Sequence, residues 1–171
     1  MSDPLTVGDQ AEQDRFWSHV VRGPGTRDCW IWTGAIADDG YGRWWIRREC
    51  TERIIRPHRY ALAIALGGHL DGNNVAMHLC DNPICVRAET PTKPGSMDAG
   101  KPLGGGGHVV AGTQSQNLSE MGRKGRGGSW AGPTRAERAA RSRALREAVR
   151  NGWDPAEVTK ALAQADQPTL F

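Results

Sequence analysis

The stretch "VAMHLCDNPICV" at residues 75–86 places one histidine and two cysteines within eight residues, from His78 to Cys85. The chain has four cysteines in all, and two of them lie here. Cys80 and Cys85 are separated by four residues, a spacing that lets one loop wrap a tetrahedral zinc ion. In a reducing cytosol such a cluster favours metal over a disulfide. We therefore predict that this stretch supplies part of a zinc site.

The rest of the ligand set lies elsewhere in the chain. A structural zinc ion takes four ligands, typically Cys₃His or Cys₂His₂. The candidates outside the stretch are Cys29, Cys50 and His108. Two interpretations of His78 stay open from the residues alone. It is held still beside the metal for proton transfer, or it is itself a zinc ligand in place of His108.

Apolar periodicity and turn residues predict an α+β fold around this stretch. The first predicted elements are a helix over 14–21, strands over 29–36 and 43–49 joined by a turn at 38–42, an extended segment over 53–56 that becomes helical after Pro57, and a strand over 75–78. Capping-box spacings then predict two helices, one from Thr113 to about Met121 and one from Thr134 to the stop at Asn151-Gly152. Asp154-Pro155 opens a last helix that ends near Gln164.

Composition divides the chain into two parts. Residues 88–107 are rich in glycine and proline without periodicity, which is typical of a loop insertion. We predict one domain over 14–126 that contains this insertion. Residues 127–171 form a basic helical extension with a flexible tail.

Charge is unevenly distributed along the chain. Residues 123–150 carry nine basic and two acidic side chains, whereas residues 1–14 carry four acids and no base. A basic segment of this kind favours a polyanion partner, although a solvated basic helix has the same composition. The residues predicted to contact nucleic acid here are Lys124, Arg126, Arg135, Arg138 and Arg141. A ribbon over 29–49 is a second candidate, through Arg43, Trp44, Arg47 and Arg48. Trp30 and Trp32 are interpreted as core.

Nothing in the sequence indicates a membrane protein. The first residues are acidic and polar, unlike a signal peptide. The apolar run "YALAIAL" at 60–66 is far shorter than the ~20 residues that cross a bilayer. We therefore expect a cytoplasmic protein, in a bacterium or a phage-infected host.

Several short motifs occur in a specific order: "CWIWTG" at 29–34, "GYGR" at 40–43, "HR" at 58–59, "HLCDNPICV" at 78–86 and "GTQSQN" at 112–117. Together they resemble the HNH endonucleases of the His-Me finger (ββα-metal) superfamily. The chain is most similar to phage-type members of the zinc-containing subgroup related to the His-Cys box homing endonucleases. The resemblance runs from about Phe16 to Arg126.

The resemblance implies a metal-dependent endonuclease that nicks or cuts double-stranded DNA. It implies an α+β fold with a small ββα-metal core and a structural zinc ion. The capped helices over 134–164 add a basic C-terminal helical hairpin to this core. Zinc would be held by Cys29, Cys80, Cys85 and His108. His78 would be the general base and Asn117 the ligand of a catalytic Mg²⁺ or other divalent metal. Arg43 and Arg53 are candidates for the contact with the scissile phosphate, and Cys50 matches nothing.

Two positions depart from the family pattern. An insertion of about twenty residues precedes His108, and Met77 stands where many members have a metal-binding aspartate. The main alternative is a non-catalytic, zinc-stabilised DNA-binding protein, and a toxin nuclease is a third. The last five residues, Gln167–Phe171, resemble the peptide with which bacterial replication proteins bind the sliding clamp. The sequence leaves open whether the chain acts as a homodimer.

Overall fold

The computed structural model describes residues 3–89, 107–124 and 133–164. The helices are α1 (Gln10–Trp17), α2 (Pro57–Ala65), α3 (Gln114–Arg123), α4 (Arg135–Ala148) and α5 (Pro155–Gln164). The strands are β1 (Leu5–Thr6), β2 (Val20–Arg22), β3 (Trp30–Trp32), β4 (Trp44–Arg48), β5 (Thr51–Ile55), β6 (His69–Leu70), β7 (Val75–His78) and β8 (Val109–Gly112). The predicted α+β class is confirmed.

The described strands form four antiparallel pairs: β1–β6, β2–β3, β4–β5 and β7–β8. In the last pair, His78 lies opposite Val109 and Val75 opposite Gly112. The segment after the cysteine loop extends the β2–β3 pair, because Trp32 N–H donates to Ile84 O and Val86 N–H donates to Trp30 O. The cysteine loop is therefore fixed between two of the small sheets.

The predicted hairpin over 29–49 is wrong. The turn at 38–42 exists, with a bridge between Ile36 and Gly42, but β3 pairs with β2 and β4 pairs with β5. Glu49 and Cys50 connect β4 to β5 with positive φ angles of 47° and 65°. Such angles suit a two-residue hairpin turn, for which Asn-Gly is the usual sequence signal. The Glu49-Cys50 dipeptide lacks that signal, so the β4–β5 hairpin was not predicted from the sequence.

The predicted first helix is displaced. The carboxylate of Asp9 accepts a hydrogen bond from Glu12 N–H at 2.9 Å, so α1 begins at Gln10. The helix ends at Trp17, and Val20 and Val21 belong to β2 opposite Trp32 and Ile31. Their branched side chains suit a strand better than a helix end.

An aromatic cluster forms the centre of the core. The Phe16 ring lies 5.3 Å from Trp32 and 4.8 Å from Tyr60, and Trp32 lies 5.6 Å from Trp44 between ring centroids. Trp44 is only 4% exposed, so its predicted contact with a DNA groove is wrong. The interpretation of Trp32 as core is confirmed, and Trp30 packs against the edge of the same core. Large rings supply much buried area in a chain with a modest core.

The C-terminal helices form as predicted and pack on the rest of the molecule. Thr134 and Glu137 form the capping box of α4, and Gly152 follows the helix with a φ of 112°. Leu145 of α4 and the C-cap residue Val149 belong to the same core cluster as the aromatic residues. None of the helices within the described residues is both long and apolar enough to cross a membrane.

Candidate metal centre and histidine site

Four side chains from three parts of the chain meet at one point: Cys29, Cys80, Cys85 and His108. Their ligand atoms all lie within 4.8 Å of one another. His108 Nδ1 is 3.4 Å from Cys29 Sγ and 3.6 Å from Cys85 Sγ. With Zn–S and Zn–N bonds of ~2.3 and ~2.0 Å, tetrahedral geometry requires S···N separations of about 3.5 Å. The cluster therefore has the donor atoms and the size to hold a metal ion such as zinc.

Local backbone structure positions each ligand. Cys29 directly precedes β3, and Cys85 lies in the segment that pairs with β3 through Ile31. In the cysteine loop, Cys85 N–H donates to Asn82 O at 3.1 Å. His108 directly precedes β8, and its carbonyl accepts from Leu79 N–H at 2.8 Å. Hydrogen bonds outside the metal site thus preform the ligand arrangement.

Arg87, which the sequence did not suggest, joins two of the ligand segments. Its Nη1 donates to the carbonyls of Gly25 and Asp28 at 2.9 and 2.8 Å, directly before Cys29. Its own carbonyl accepts from His108 N–H at 2.8 Å. A guanidinium group holds its five N–H donors in one rigid plane, whereas the three donors of a lysine rotate on a flexible side chain. The arginine therefore fixes the separation between Cys29 and His108.

The three thiols affect one another's ionisation. Hydrogen bonds from Cys29 and then Cys85 lower the pKa of Cys80 well below the ordinary value for a thiol. Burial and the two neighbouring sulfur atoms raise the pKa of Cys85. Ionisation of one thiol in the cluster is thus favoured, and the negative charge of that thiolate opposes ionisation of a second thiol. A divalent cation would remove that opposition, which is why Cys₃His sets bind zinc as thiolates.

His78 lies beside this cluster but makes a different contact. Its Nε2 is 3.0 Å from the carbonyl oxygen of Cys85. A carbonyl only accepts hydrogen bonds, so Nε2 carries the proton and Nδ1 of the neutral ring keeps its lone pair. Burial lowers the pKa of His78, so the ring is neutral at physiological pH. Of the two interpretations open from the sequence, the cluster of ligand atoms favours His108 as the fourth ligand.

A second histidine packs against His78. The rings of His58 and His78 lie 4.6 Å apart, and Tyr41 lies 5.4 Å from the first and 6.0 Å from the second. His58 is 6% exposed, and its Nδ1 has no hydrogen-bond partner among the described residues. Burial and the neighbouring His78 lower the pKa of His58 well below its ordinary value. The "HR" and "GYGR" motifs contained these residues, but the sequence gave neither side chain a role.

Asn117 lies in the second turn of α3, the helix that directly follows β8. Thr113 and Gln116 form the predicted capping box at the start of α3, and the carboxamide of Asn117 takes no part in it. At the other end of α3, Lys124 Nζ reaches Leu79 O at 3.0 Å and Asp81 Oδ1 at 2.9 Å. The helix is therefore held along the β7–β8 pair. The convergence of Asn117 and His78 on one cation stays a prediction.

The candidate phosphate-binding arginines lie on different elements. Arg43 is exposed directly after the 38–42 turn, and its N–H donates to Ala35 O at 2.8 Å. Arg53 lies on β5 opposite Ile46, with Nη2 3.3 Å from Asp3 Oδ2. Neither assignment to the scissile phosphate is settled by these positions, and both stay predictions.

Several of the predicted DNA-binding side chains have partners inside the molecule. Arg48 bonds to Glu12 at 2.6 Å, and Arg138 donates to Pro133 O at 2.6 Å. Arg135 pairs with Asp38 at 2.9 Å on the surface, and Arg47 is exposed 4.0 Å from Glu52. Arg141 is half-buried on α4. Arg126 and the clamp-type peptide at 167–171 lie outside the described residues.

The chain is similar to two proteins of Escherichia phage T7. Protein 7.7 is 31% identical over 99 residues, which cover 58% of this chain and 58% of Protein 7.7. Protein 2.8 is 29% identical over 98 residues, which cover 57% of this chain and 52% of Protein 2.8. The chain thus spans a little over half the length of the curated relatives it matches. No family model and no solved structure matches it.

Proposed function

We propose that this protein is a metal-dependent DNA endonuclease of the HNH type that its motifs resemble. One observation carries the proposal: His78 Nε2 lies 3.0 Å from the carbonyl oxygen of Cys85, a contact that leaves Nδ1 of the neutral ring without a proton. That carbonyl belongs to a residue of the metal cluster, so the ring is attached to a rigid support. A fixed neutral imidazole suits a general base, and a purely structural zinc knuckle has no need of one.

The reaction follows from this arrangement. Nδ1 of His78 takes a proton from water as the water oxygen attacks phosphorus. The bond between phosphorus and the leaving 3′-oxygen breaks, and that oxygen takes a proton from solvent. The products are a 5′-phosphate and a 3′-hydroxyl. A general base of this kind contributes ~10²–10⁴-fold to the rate.

The two metals have separate roles in the proposal. Zinc at Cys29, Cys80, Cys85 and His108 is structural, because four protein ligands close its coordination shell. The carboxamide of Asn117 is the proposed protein ligand for Mg²⁺. Such an ion supplies Lewis-acid stabilisation of the phosphate and of the leaving oxygen. A neutral amide oxygen is a suitable hard ligand that leaves most of the ion's water in place.

Plasmid cleavage tests the proposal. Zinc-loaded protein is incubated with supercoiled plasmid and Mg²⁺, and the nicked and linear forms are quantified. We expect cleavage by the wild type, loss with EDTA, and a loss of at least about 100-fold in His78→Ala. His69→Ala is the matched control, because His69 is an exposed histidine on β6.

Two outcomes would contradict the proposal. Cleavage at wild-type rate by His78→Ala would remove the general-base assignment. Plasmid that stays intact in every condition, together with retained DNA binding in a gel-shift assay, would favour the non-catalytic DNA-binding protein. A library of random duplex sequences extends the same assay to a nuclease with a strict recognition site.

A further inference from the structure

A small basic cavity lies beside the N-terminal end of α2. Its volume is about 130 Å³. Residues from the N-terminal strand, from β5 and from the first turn of α2 line it, among them Asp3, Arg53, Arg56 and Arg59. We propose that Arg53 and Arg59 form a binding site for a phosphate group in this cavity.

Charge balance supports an anion as the ligand. Arg56 has its own carboxylate partner, Asp39, at 2.5 Å. Arg53 and Arg59 share one acidic residue, Asp3. Arg53 Nη2 is 3.3 Å from its carboxylate, and Arg59 Nη2 donates to its backbone carbonyl at 2.7 Å. Two guanidinium groups thus face one carboxylate that is 84% exposed. The cavity keeps an excess of positive charge.

The shape of the Arg59 side chain fits the same conclusion. Its Nε is fully buried and has no hydrogen-bond partner among the described residues, so any contact with a ligand in the cavity is made by its terminal nitrogens. Burial, and the nearby charge of Arg53, lower the pKa of Arg59 against the opposing effect of Asp3. The planar fork of arginine matches the oxygens of a phosphate group.

The end of the helix adds a further contribution. Arg56 is the N-cap of α2 and makes no side-chain capping bond, and Pro57 occupies the first helical position. The positive end of the helix dipole therefore lies at the cavity without a side-chain acceptor. Within the same turn, His58 contacts His78, and Arg59 is rotated about 100° from it around the helix. The proposed phosphate site therefore lies on a different side of α2 from His58, and the proposal assigns Arg53 to a phosphate other than the scissile one.

The assignment of this phosphate to a DNA backbone rests on the proposed function. A strand that crosses the start of α2 would place one phosphate near His78 and another in the cavity. Such a contact positions the strand without reading its sequence. Free inorganic phosphate would bind to the same arginines in the same way. The experiments below distinguish a DNA backbone phosphate from free phosphate.

The first experiment needs no nuclease activity. The arginine Nε–Hε signals of full-length, zinc-loaded protein are followed by NMR during titration with inorganic phosphate, with chloride at equal ionic strength for comparison. We expect a saturable shift of the Arg59 signal in the wild type and in Arg27→Met, which removes an exposed arginine elsewhere. In Arg59→Met, the Arg53 signal should no longer respond. Asp3→Asn should tighten phosphate binding several-fold, because a competing carboxylate is removed.

The second experiment identifies the source of the phosphate. Affinity for a duplex of arbitrary sequence is measured at several salt concentrations. If the site holds a backbone phosphate, Arg59→Met reduces the salt slope by about one relative to Arg27→Met. If the salt slope is unchanged in Arg59→Met while inorganic phosphate still shifts the Arg59 signal of the wild type, the site binds free phosphate. Phosphate shifts that do not saturate, or that are equal in Arg59→Met and wild type, overturn the site. Absence of duplex binding would count against the proposed function while leaving the phosphate titration interpretable.

Discussion

At the scale of single residues, the imidazole pair is the feature on which the proposed chemistry depends. His78 is oriented from one side by the carbonyl of Cys85 and from the other by the ring of His58. His58 makes no use of its Nδ1 within the described structure, and its burial keeps it neutral. We therefore assign His58 a positioning role that depends on the shape of its ring rather than on its charge.

Two substitutions of His58 test this assignment. His58→Ala leaves a void beside the His78 ring and should reduce plasmid cleavage by about 10-fold or more. His58→Phe keeps a ring and removes an unpartnered buried nitrogen, so it should restore most of the cleavage and fold at least as stably. The Nε2–H tautomer of His78, measured by long-range ¹H–¹⁵N NMR, should persist in His58→Phe. Equal losses in both variants would instead indicate that His58 takes part in the reaction.

Residue-level prediction from the sequence succeeded where spacing carries chemistry. Cys80 and Cys85 were identified from their separation, whereas Cys29 and His108 required the resemblance, because contacts between distant segments leave no local pattern. Arg87 and His58 were missed for a related reason. Their roles depend on carbonyl groups and rings from other segments, which no local spacing shows.

At the scale of elements, the β4–β5 hairpin is joined to α1 by one partly buried network. Arg48 of β4 bonds to both carboxylate oxygens of Glu12 at 2.6 and 3.0 Å, and Tyr60 O–H donates to the same carboxylate at 2.6 Å. Burial raises the pKa of Glu12, but the bonds from Arg48 and Tyr60 outweigh it and hold the pKa below 4.5. This network explains why Arg48 faces inward although it lies in an otherwise exposed basic run.

The network predicts a pH-dependent effect of Arg48→Met. A carboxylate whose pKa is lowered on folding stabilises the protein above its unfolded pKa, near 4.5, and loses that effect as the pH falls through its folded pKa. Arg48→Met should therefore lower the unfolding free energy by about 1–3 kcal/mol at pH 7 and by less at pH 3. Urea unfolding of both proteins at both pH values measures this change in unfolding free energy.

The neighbouring arginine provides the control for this experiment. Arg47 is 4.0 Å from Glu52 with both side chains exposed, so Arg47→Met should change stability by less than about 1 kcal/mol. If the unfolding free energies of wild type and Arg48→Met differed by the same amount at pH 7 and at pH 3, the role of Glu12 would be contradicted.

Elements with local start and stop signals were predicted well, and pairing partners were not. The capping boxes of α3 and α4 and the strand at 75–78 were found within a few residues of their observed positions. The strand pairing failed because β3 has β2 as a partner earlier in the chain. The turn at 38–42 suggested a hairpin, yet after the bridge at Ile36 and Gly42 the two segments separate into different sheets.

At the scale of the whole molecule, the metal cluster adds a cross-link between small sheets that backbone hydrogen bonds already bring together. It joins the start of β3, the loop after β7 and the start of β8. Each described sheet has only two strands, a size that is marginally stable alone. Zinc binding coupled to folding is worth on the order of 10 kcal/mol, enough to exceed the stability of a small domain. We therefore expect the fold to depend on zinc.

A pair of cysteine variants tests this dependence. Cys85→Ser removes a buried ligand, so the zinc content measured by elemental analysis should fall from one ion per chain to near zero, with a large loss of thermal stability. Cys50→Ser changes an exposed cysteine in the β4–β5 turn, so this variant should keep the zinc content and the thermal stability of the wild type. Full zinc content in Cys85→Ser would contradict the ligand set.

We propose that His78 and Asn117 share one hydrated cation. Paramagnetic NMR tests it without DNA: Mn²⁺ is added below stoichiometric amounts to zinc-loaded protein, and side-chain signals are followed. We expect selective broadening of the His78 ring and Asn117 carboxamide signals, with the His69 ring unaffected and the effect lost in Asn117→Ala. Broadening of Asn117 while His78 stays sharp, or no selective broadening at either residue, would contradict it.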